Sequence, residues 1–540
     1  MQAQQAHHSV DKWLVATLLL AVTAFSPSAD AQVPNVPGVP PISVSTHTTF
    51  QQQTHFLTFQ ESFIPESATT AKAYYKAIDP TGSKVTFQQW LVNAGFIGHV
   101  NQWRPNGRQI IKNTGEYGDN VIMTDSHVIV LNAADLGFVR NQFIRCKPSC
   151  TVPNPTIYTY LENYPVAPFA AGAGGSGFPT KTGYPTQAEA AAAIASAINR
   201  PLGVLGGDGT SPCNGSPLCI ERIADVAFEW APPADGTSPD TRFGQLYAYI
   251  FSHDQSGIAE TRTVPSGLVG KPILNFATGQ LTTINAGDPF PPDLDGQGFK
   301  QHPGVCFICH GGEPKNLTSS GQYPRKGNVN GFRFLPLDIR SLMFANPGSE
   351  FSLEDQEAQI KRYNKAVLLT VKSKAQTDDQ GVLREPHLAE VIKGWYAGFP
   401  GDQTMSRSTQ DGNFIPKGWR EPSHGGNARA GSEQLYLQTV ATACRSCHFN
   451  RELSLDFGTA ANFDIFRDAI AELTLRPECD ANKPDPRKRP MPAALLTYQR
   501  LWEAQASPRT LADGIVISDT ILKLKNHFGF TATSYCASNP

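Results

Sequence analysis

Two pentapeptides in the chain place a pair of thiols and an imidazole at the same spacing. They are residues 306–310 (Cys-Phe-Ile-Cys-His) and residues 444–448 (Cys-Arg-Ser-Cys-His). In a Cys-x-x-Cys-His sequence both sulfurs can form thioethers to haem vinyl groups, and the histidine then lies under the iron as its proximal ligand. The sequence therefore predicts two covalent haem c groups. The residues predicted to bind them are Cys306, Cys309, His310, Cys444, Cys447 and His448.

Other sites can also use a Cys-x-x-Cys pair. It could be a thioredoxin-like redox couple or half of a zinc site, but neither needs a histidine directly after the second cysteine. With 10 Cys and 13 His in 540 residues, chance does not account for two such pentapeptides. We therefore favour haem at both motifs.

The first 31 residues have the features of an export signal. Lys12 supplies a positive charge, residues 13–25 are apolar or small, and residues 29–31 (Ala-Asp-Ala) fit a cleavage site. An uncleaved membrane anchor is the alternative, although the run is short for a membrane span. No later stretch is apolar and long enough to span. We expect a bacterial periplasmic or secreted protein without a stable membrane span after signal cleavage.

The composition is typical of an exported globular protein. The chain is 40% hydrophobic and 17% charged, with a net charge of −2. This balance does not favour nucleic acid as a partner. Six cysteines lie outside the motifs, and an oxidising compartment favours disulfides. Proximity in sequence suggests three pairs, although other pairings are open: Cys146 with Cys150, Cys213 with Cys219, and Cys479 with Cys536.

Beyond the signal, the sequence divides into a proline-rich linker (32–55), an α+β domain of unknown role (56–285), a first haem region (286–430) and a second haem domain (431–540). The overall expectation is an α+β N-terminal region followed by a mainly α-helical cytochrome c-like di-haem region. Helical patterns cover residues 70–77, 86–96, 187–199, 352–371, 386–395 and 432–440, and strand patterns cover 127–131, 157–161 and 245–251.

Residues 432–505 resemble the class I cytochrome c layout, in which a helix ends in Cys-x-x-Cys-His and a methionine ligand precedes a C-terminal helix. Met491 is followed by proline, and residues 493–504 (AALLTYQRLWEA) form an amphipathic pattern. The resemblance implies that His448 and Met491 are the two axial ligands of the second haem. The alternative is that Met491 is a core residue.

The sixth ligand of the first haem is open at this stage. Met343, His302, His387, Met405 and His127 are alternatives, and the position could be vacant and admit a small ligand such as peroxide or dioxygen. At the scale of the whole chain, the paired motifs resemble di-haem c-type proteins such as bacterial di-haem peroxidases, MauG-type enzymes and rubber oxygenases. The long segment before the first motif departs from that pattern.

Three functions follow from these features. The first, which we favour, is electron transfer through two haems to a redox partner protein. The second is a di-haem oxidoreductase, of the peroxidase or oxygenase type, with an open-coordinate haem at His310. In the third, the N-terminal region binds a ligand or a partner, and the haems report the redox state. The oligomeric state and any catalytic residue are not indicated by the sequence.

Overall fold

The computed structural model covers the chain between residues 57 and 529 with gaps. The described residues are 57, 66–99, 120–122, 124–132, 136–152, 155–165, 187–198, 224–231, 245–252, 261–275, 280–294, 299–312, 315–327, 329, 331–371, 376–377, 383–397, 405–451, 455–470, 491, 494, 497, 501, 509–510, 516–517 and 520–529. The expected signal (1–31) and linker (32–55) lie outside them, and the segment boundaries of the sequence analysis stay predictions.

Helices begin and end as follows: α1 Ala68–Ile78, α2 Phe87–Ala94, α3 Gln187–Ile198, α4 Gly304–His310, α5 Leu353–Leu368, α6 His387–Trp395, α7 Ser432–Leu435, π1 Tyr436–Cys444, α8 Arg445–His448, α9 Ala460–Ile465 and α10 Thr520–Phe528. The strands are β1 Ile97–His99, β2 Asn120–Ile122, β3 Ser126–Asn132, β4 Phe138–Lys147, β5 Thr156–Pro165, β6 Ala224–Ala231, β7 Gln245–Ser252, β8 Pro272–Asn275, β9 Gln280–Thr283, β10 Leu342–Met343, β11 Gln376–Thr377, β12 Leu383–Arg384, β13 Arg509–Thr510 and β14 Val516–Ile517.

A six-stranded antiparallel sheet, ordered β10-β3-β4-β5-β6-β7, is the centre of the described structure. Each of the strands β3 to β6 pairs with the next one along the chain, up to β7, as in a meander. The sixth strand comes from between the two motifs, where Leu342 pairs with Asn132 and Met343 with Leu131. The remaining strands form two-stranded pairs: β1-β2, β8-β9, β11-β12 and β13-β14.

Both faces of the sheet are covered by helices. On one face, Phe87 and Trp90 of α2 pack edge-on against Tyr160 of β5. On the other face, Gln142 of β4 donates a hydrogen bond to Tyr363 of α5. A sheet stabilises a domain by burying its apolar side chains against a second layer. Residues of these helices and of the sheet belong to one apolar core.

The outer edge of the sheet, strand β7, is closed by aromatic side chains. The backbone N–H groups of Ala248 and Ile250 donate to the hydroxyls of Tyr74 and Tyr75 on α1. The ring of His302 donates from Nε2 to the Ala248 carbonyl at 2.9 Å. An edge strand with unpaired backbone groups can pair with another chain, and this arrangement satisfies those groups internally.

The expectation of an α+β region followed by a mainly helical cytochrome c-like region is wrong. The described chain forms a six-stranded antiparallel sheet with helices, and part of that sheet is supplied by β10 from beyond the first motif. The physical reason is the apolar face of the sheet: buried residues of α4, including Phe307, belong to the same core cluster as Phe228 and Trp230 of β6. The first motif therefore packs on the sheet.

Many local elements agree with the sequence analysis. Thr86 caps α2 with a capping box, since its side chain accepts from the Gln89 N–H and Gln89 returns a bond. The Ser352 side chain accepts from the Asp355 N–H and starts α5. Strands are present at 127–131, 157–161 and 245–251 as expected. The amphipathic segment 493–504 lies largely outside the described residues.

Candidate functional site

The first motif lies on α4, which is packed against Glu66 at its first turn. A Cβ atom at Gly304 would lie 1.9 Å from Cδ of Glu66, so glycine is required here for the carboxylate to approach. Burial of Cys306, together with the Glu66 charge, raises the pKa of its thiol. The first cysteine of the motif is therefore a protonated, buried thiol at neutral pH.

The His310 imidazole is held in one orientation. Its Nδ1–H donates to the Arg333 carbonyl at 2.8 Å, and its ring centroid lies 4.5 Å from that of Phe228 on the sheet. Burial lowers the pKa of His310 to about 4, the Arg333 hydrogen bond opposes this shift, and Arg140 lowers the pKa further. Because Nδ1 carries the proton, Nε2 of the neutral ring keeps its lone pair, as a metal ligand requires.

The second motif is reached through a π-helix, π1, that ends at Cys444 and continues as α8. The extra residue per turn distorts the regular ladder, and such segments occur often at functional sites. Thr442 lies within π1, and its hydroxyl donates to the Gln438 carbonyl at 2.9 Å. The sequence predicted a helix running into Cys444 but not its π geometry.

His448 has the same arrangement as His310. Its Nδ1–H donates to the Leu455 carbonyl at 2.6 Å, and its ring stacks on Phe457 with centroids 4.0 Å apart. Burial lowers the pKa of His448 to about 4, the hydrogen bond to Leu455 opposes this, and Arg451 lowers it further. Both motif histidines are therefore neutral rings with Nδ1 bonded to backbone and Nε2 available as a ligand.

The two motifs are in direct contact. Sγ of Cys309 lies 3.6 Å from Sγ of Cys447, and the hydroxyls of Ser341 and Ser446 are 3.2 Å apart beside them. The guanidinium of Arg451 donates to the Ile308 carbonyl at 3.1 Å. Two sites that are distant in sequence thus form one centre in the fold.

A glycine permits this contact. Gly311 follows the first motif with φ of 75°, and a Cβ atom there would lie 2.3 Å from the backbone oxygen of Asn450. The Asn450 side chain in turn donates to the Phe334 carbonyl at 3.2 Å. The residues that follow each motif are therefore packed backbone against backbone, and only glycine at position 311 allows both the positive φ and the close approach.

A buried ion pair joins the second motif to the segment that orients His310. Arg445, an internal residue of the motif, donates from Nε and Nη2 to Oδ2 of Asp338 at 2.9 and 2.5 Å. The side chains are 0% and 4% exposed. Nη1 of Arg445 donates to the Tyr436 hydroxyl at 3.1 Å, and Tyr436 lies 2.9 Å from Nε2 of His387. This network fixes α8 relative to residues 333–338.

A cavity of about 100 Å³, partly open to solvent, lies between the first motif and the sheet. Its wall includes Cys306, Cys309 and His310 on one side and Ser446 of the second motif. The rest of the wall combines apolar side chains from the sheet and from residues 334–337 with several polar groups. The polar residues of the wall include Asn132, Arg140, Gln142, Thr159, Asn163, Asp338, Ser341 and Tyr363.

Three of the sixth-ligand candidates are histidines that do not line this cavity. His302 uses Nε2 for the Ala248 carbonyl, and its Nδ1 lies 3.8 Å from Sγ of Cys306. His387 lies between the Asp456 carbonyl and the Tyr436 hydroxyl. His127 bonds Asn141 and stacks on Phe143. All three have structural partners in the fold.

The two methionine candidates also lie elsewhere. Leu342 lines the cavity, whereas the next residue, Met343, packs with a cluster on the opposite face of the sheet that includes Leu131. This follows from the alternation of side chains along a strand. Met405 is buried in the main core away from the cavity wall. Among the described residues that line the cavity, His310 is the one histidine, and no methionine is present.

Met491 is partly buried and packs against the core cluster that contains Cys309. Its neighbours in sequence lie largely outside the described residues, so its assignment as a ligand of the second haem stays a prediction. Of the expected disulfides, the structure contains Cys146 to Cys150. The pairs Cys213 with Cys219 and Cys479 with Cys536 lie outside the described residues.

The zinc alternative does not fit the positions of the cysteines. A structural zinc site brings four ligand atoms together around one ion. Within the described chain, the one group of three or more His, Cys, Asp or Glu ligand atoms that lie together is Asp125, Cys146 and Cys150, and those two sulfurs are joined as a disulfide. At each motif, by contrast, two thiols on one helical turn are followed by a neutral, oriented imidazole. That donor set fits haem c.

Several residues of the site were missed by sequence reasoning. Arg445 occupies one of the two positions between the cysteines whose identity the motif does not specify. The sequence signal that could have identified it is a charged residue inside a buried helix. Arg140 and Gln142 line the cavity from alternate positions of β4, but Asn141 between them is polar too, so no alternation marked the face of the strand that lines the cavity. The contact between the two motifs had no sequence signal.

Among the described residues, no helix has the length and apolar character that crossing a membrane requires. Comparison of the chain with protein-family models, with curated proteins and with solved structures gives no match.

Proposed function

We propose that the protein is an exported di-haem c-type cytochrome that carries out electron transfer through two covalently bound haems. The observation that carries this proposal is the contact of the two motifs, with Sγ of Cys309 3.6 Å from Sγ of Cys447. Groups attached to adjacent sulfurs lie close together, and electron transfer is fastest over short distances. A redox partner protein would supply and accept the electrons.

The residues have separate roles in this proposal. Haem iron supplies one-electron redox chemistry when bound. The four motif cysteines hold the porphyrins by thioethers, and His310 and His448 provide Nε2 as ligands. The carbonyls of Arg333 and Leu455 fix the orientation of both rings and keep the proton on Nδ1. Arg445 and Asp338 hold the two attachment helices in a fixed relative position.

A haem count with matched variants tests this function. We expect two haems per chain by the pyridine haemochrome method. Replacing Cys306 and Cys309 together by Ala should halve the count, and His310→Ala should change the spectrum of one haem. His424→Ala is the control, because its side chain is 65% exposed and should leave count and spectrum unchanged. A wild-type protein matured with haem that carries none covalently would refute the proposal.

The cavity favours a second candidate, a di-haem oxidoreductase of the peroxidase or oxygenase type in which the His310 site takes a small ligand. Support comes from the wall: its described residues include Arg140, Gln142 and Tyr363 as hydrogen-bonding groups, and the five expected sixth ligands lie outside it. An electron paramagnetic resonance spectrum of the oxidised protein separates the candidates. A high-spin signal together with cyanide binding would favour the oxidoreductase, whereas low-spin signals alone would favour the carrier.

A further inference from the structure

The contact between Cys309 and Cys447 has a chemical consequence for the chain before haem is attached. None of the motif cysteines Cys306, Cys309, Cys444 and Cys447 forms a disulfide in the structure. The contact described between them joins the second cysteine of one motif to the second cysteine of the other, at 3.6 Å. An oxidising compartment favours disulfide formation between thiols that meet.

The first cysteines of the motifs are less suited to oxidation. His302 donates from Nε2 to the Ala248 carbonyl, so Nδ1 is an acceptor, and the Cys306 thiol 3.8 Å away donates to it. Cys444 packs against a different apolar cluster, which includes Tyr436 and Val440. Cys309 and Cys447, by contrast, pack in the same apolar cluster.

We propose that Cys309 and Cys447 form a disulfide in the haem-free chain, and that this bond must be reduced before haem is attached. Closing the bond requires the sulfurs to approach by about 1.5 Å, from 3.6 Å to the ordinary S–S length. Rotation about χ1 of either cysteine moves Sγ by that order. The helices α4 and α8, which carry the two residues, already pack against each other.

The reaction needs a disulfide oxidant, such as oxidised glutathione. The Cys447 thiolate attacks one sulfur of the oxidant, which releases one glutathione thiolate and leaves a mixed disulfide. The Cys309 thiolate then displaces the second glutathione and forms the intramolecular bond. Two cysteine thiols are oxidised, one glutathione disulfide is reduced, and the two protons end on the two glutathione thiols. The oxidant meets Cys447 first because Cys447 is partly exposed, whereas Cys309 is buried.

One disulfide would affect both motifs at once. Each haem c attachment uses both thiols of its motif, so a Cys309–Cys447 bond removes one thiol from each. Loading of the two haems would then depend on a single reduction. This consequence rests on the proposed function, whereas the disulfide itself does not.

Peptide mapping of the full-length chain, produced without haem, tests the disulfide. The protein is incubated with oxidised glutathione, its free thiols are alkylated, and it is digested without reduction for mass spectrometry. We expect a peptide that links Cys309 to Cys447, with Cys306 and Cys444 alkylated. Cys306→Ser should keep the linked peptide and Cys309→Ser should lose it. A predominant Cys306–Cys309 disulfide, or four alkylated motif thiols, would overturn the proposal.

Haem attachment in vitro tests the consequence. The oxidised and the dithiothreitol-reduced chains are each incubated with haem, and thioethers are counted by the haemochrome method and by mass. We expect at least a tenfold lower covalent haem content in the oxidised chain. Equal loading of both chains would refute control by the disulfide. A reduced chain that takes up no haem, with the linked peptide still found in the oxidised chain, would instead count against the proposed function.

Discussion

Removing the charge of Asp338 should strongly destabilise the protein. Its Oδ2 accepts two hydrogen bonds from Arg445, and the two side chains are 4% and 0% exposed. Breaking a buried ion pair from one side leaves the other charge without compensation, which costs about 3–5 kcal/mol. Asn is the appropriate replacement because Oδ1 of Asp338 also accepts from the Arg340 N–H, and an amide oxygen retains that bond.

For Asp338→Asn we expect a loss of stability at the lower end of the range given for a broken buried ion pair. Arg445 keeps a hydrogen bond to the Tyr436 hydroxyl, and its guanidinium lies 5.4 Å from the Trp395 ring centroid. Both contacts still stabilise its charge, and cation–π contacts contribute about 0.5–2 kcal/mol. We therefore expect a loss of about 3 kcal/mol in the free energy of unfolding, a large part of the about 5–15 kcal/mol that is usual for a folded protein.

Urea unfolding followed by far-ultraviolet circular dichroism measures this loss as a lower midpoint with unchanged slope. Asp411→Asn is the matched control: its partner Arg407 is 44% exposed, Asp411 is 31% exposed, and exposed pairs contribute at most about 1 kcal/mol. The double variant Asp338→Asn with Arg445→Met should recover much of the loss, since no buried charge remains. A loss for Asp338→Asn no larger than for Asp411→Asn would refute the reasoning.

Three further substitutions have defined outcomes. Gly304→Ala places Cβ 1.9 Å from the Glu66 carboxyl carbon, and we expect a lower melting temperature and less haem at the first motif; unchanged values would contradict the packing. Burial lowers the pKa of His302 to about 3, below its unfolded value of about 6.5, so its contribution to stability is complete above pH 6.5 and is lost as the pH falls towards 3. Between pH 7 and pH 5 this titration lowers the free energy of unfolding of the wild-type protein by about 2 kcal/mol. His302→Phe should remove that contribution, which urea midpoints at the two pH values measure; a variant with the same pH profile as the wild type would exclude this role. If Met491 is a haem ligand, Met491→Ala should abolish a weak long-wavelength sulfur-to-iron absorption, and survival of the band would point to another ligand.

Local sequence signals predicted the elements whose causes are themselves local. The helix that begins after Thr86 has its cap and its Gln89 partner within one turn. Strand β3 has three consecutive β-branched residues at positions 128–130, and it is buried along its whole length. In both cases the residues that determine the structure are neighbours in the chain, so a pattern in a short window contains the cause.

The pairing of strands in the sheet could not be predicted from such local signals. Strand β10 has only Leu342 and Met343, and it exists because these residues pair with Leu131 and Asn132 more than two hundred positions earlier. No local pattern marks a two-residue strand. The same pairing decides the faces of the sheet, so it also decides that Leu342 lines the cavity and Met343 does not. A methionine at a suitable distance in sequence was therefore not evidence of a ligand.

The resemblance to a class I cytochrome led to the wrong fold because it treated each motif as the centre of its own small helical unit. In such a unit the histidine is oriented by nearby chain. His310 is oriented by the Arg333 carbonyl, and residues 333–338 are held in turn by Asp338 through Arg445 of the other motif. The two motif histidines are thus parts of one packed structure. Loss of the Arg445–Asp338 pair should therefore alter the surroundings of His310, although Arg445 belongs to the other motif; independent cytochrome units would not show this effect.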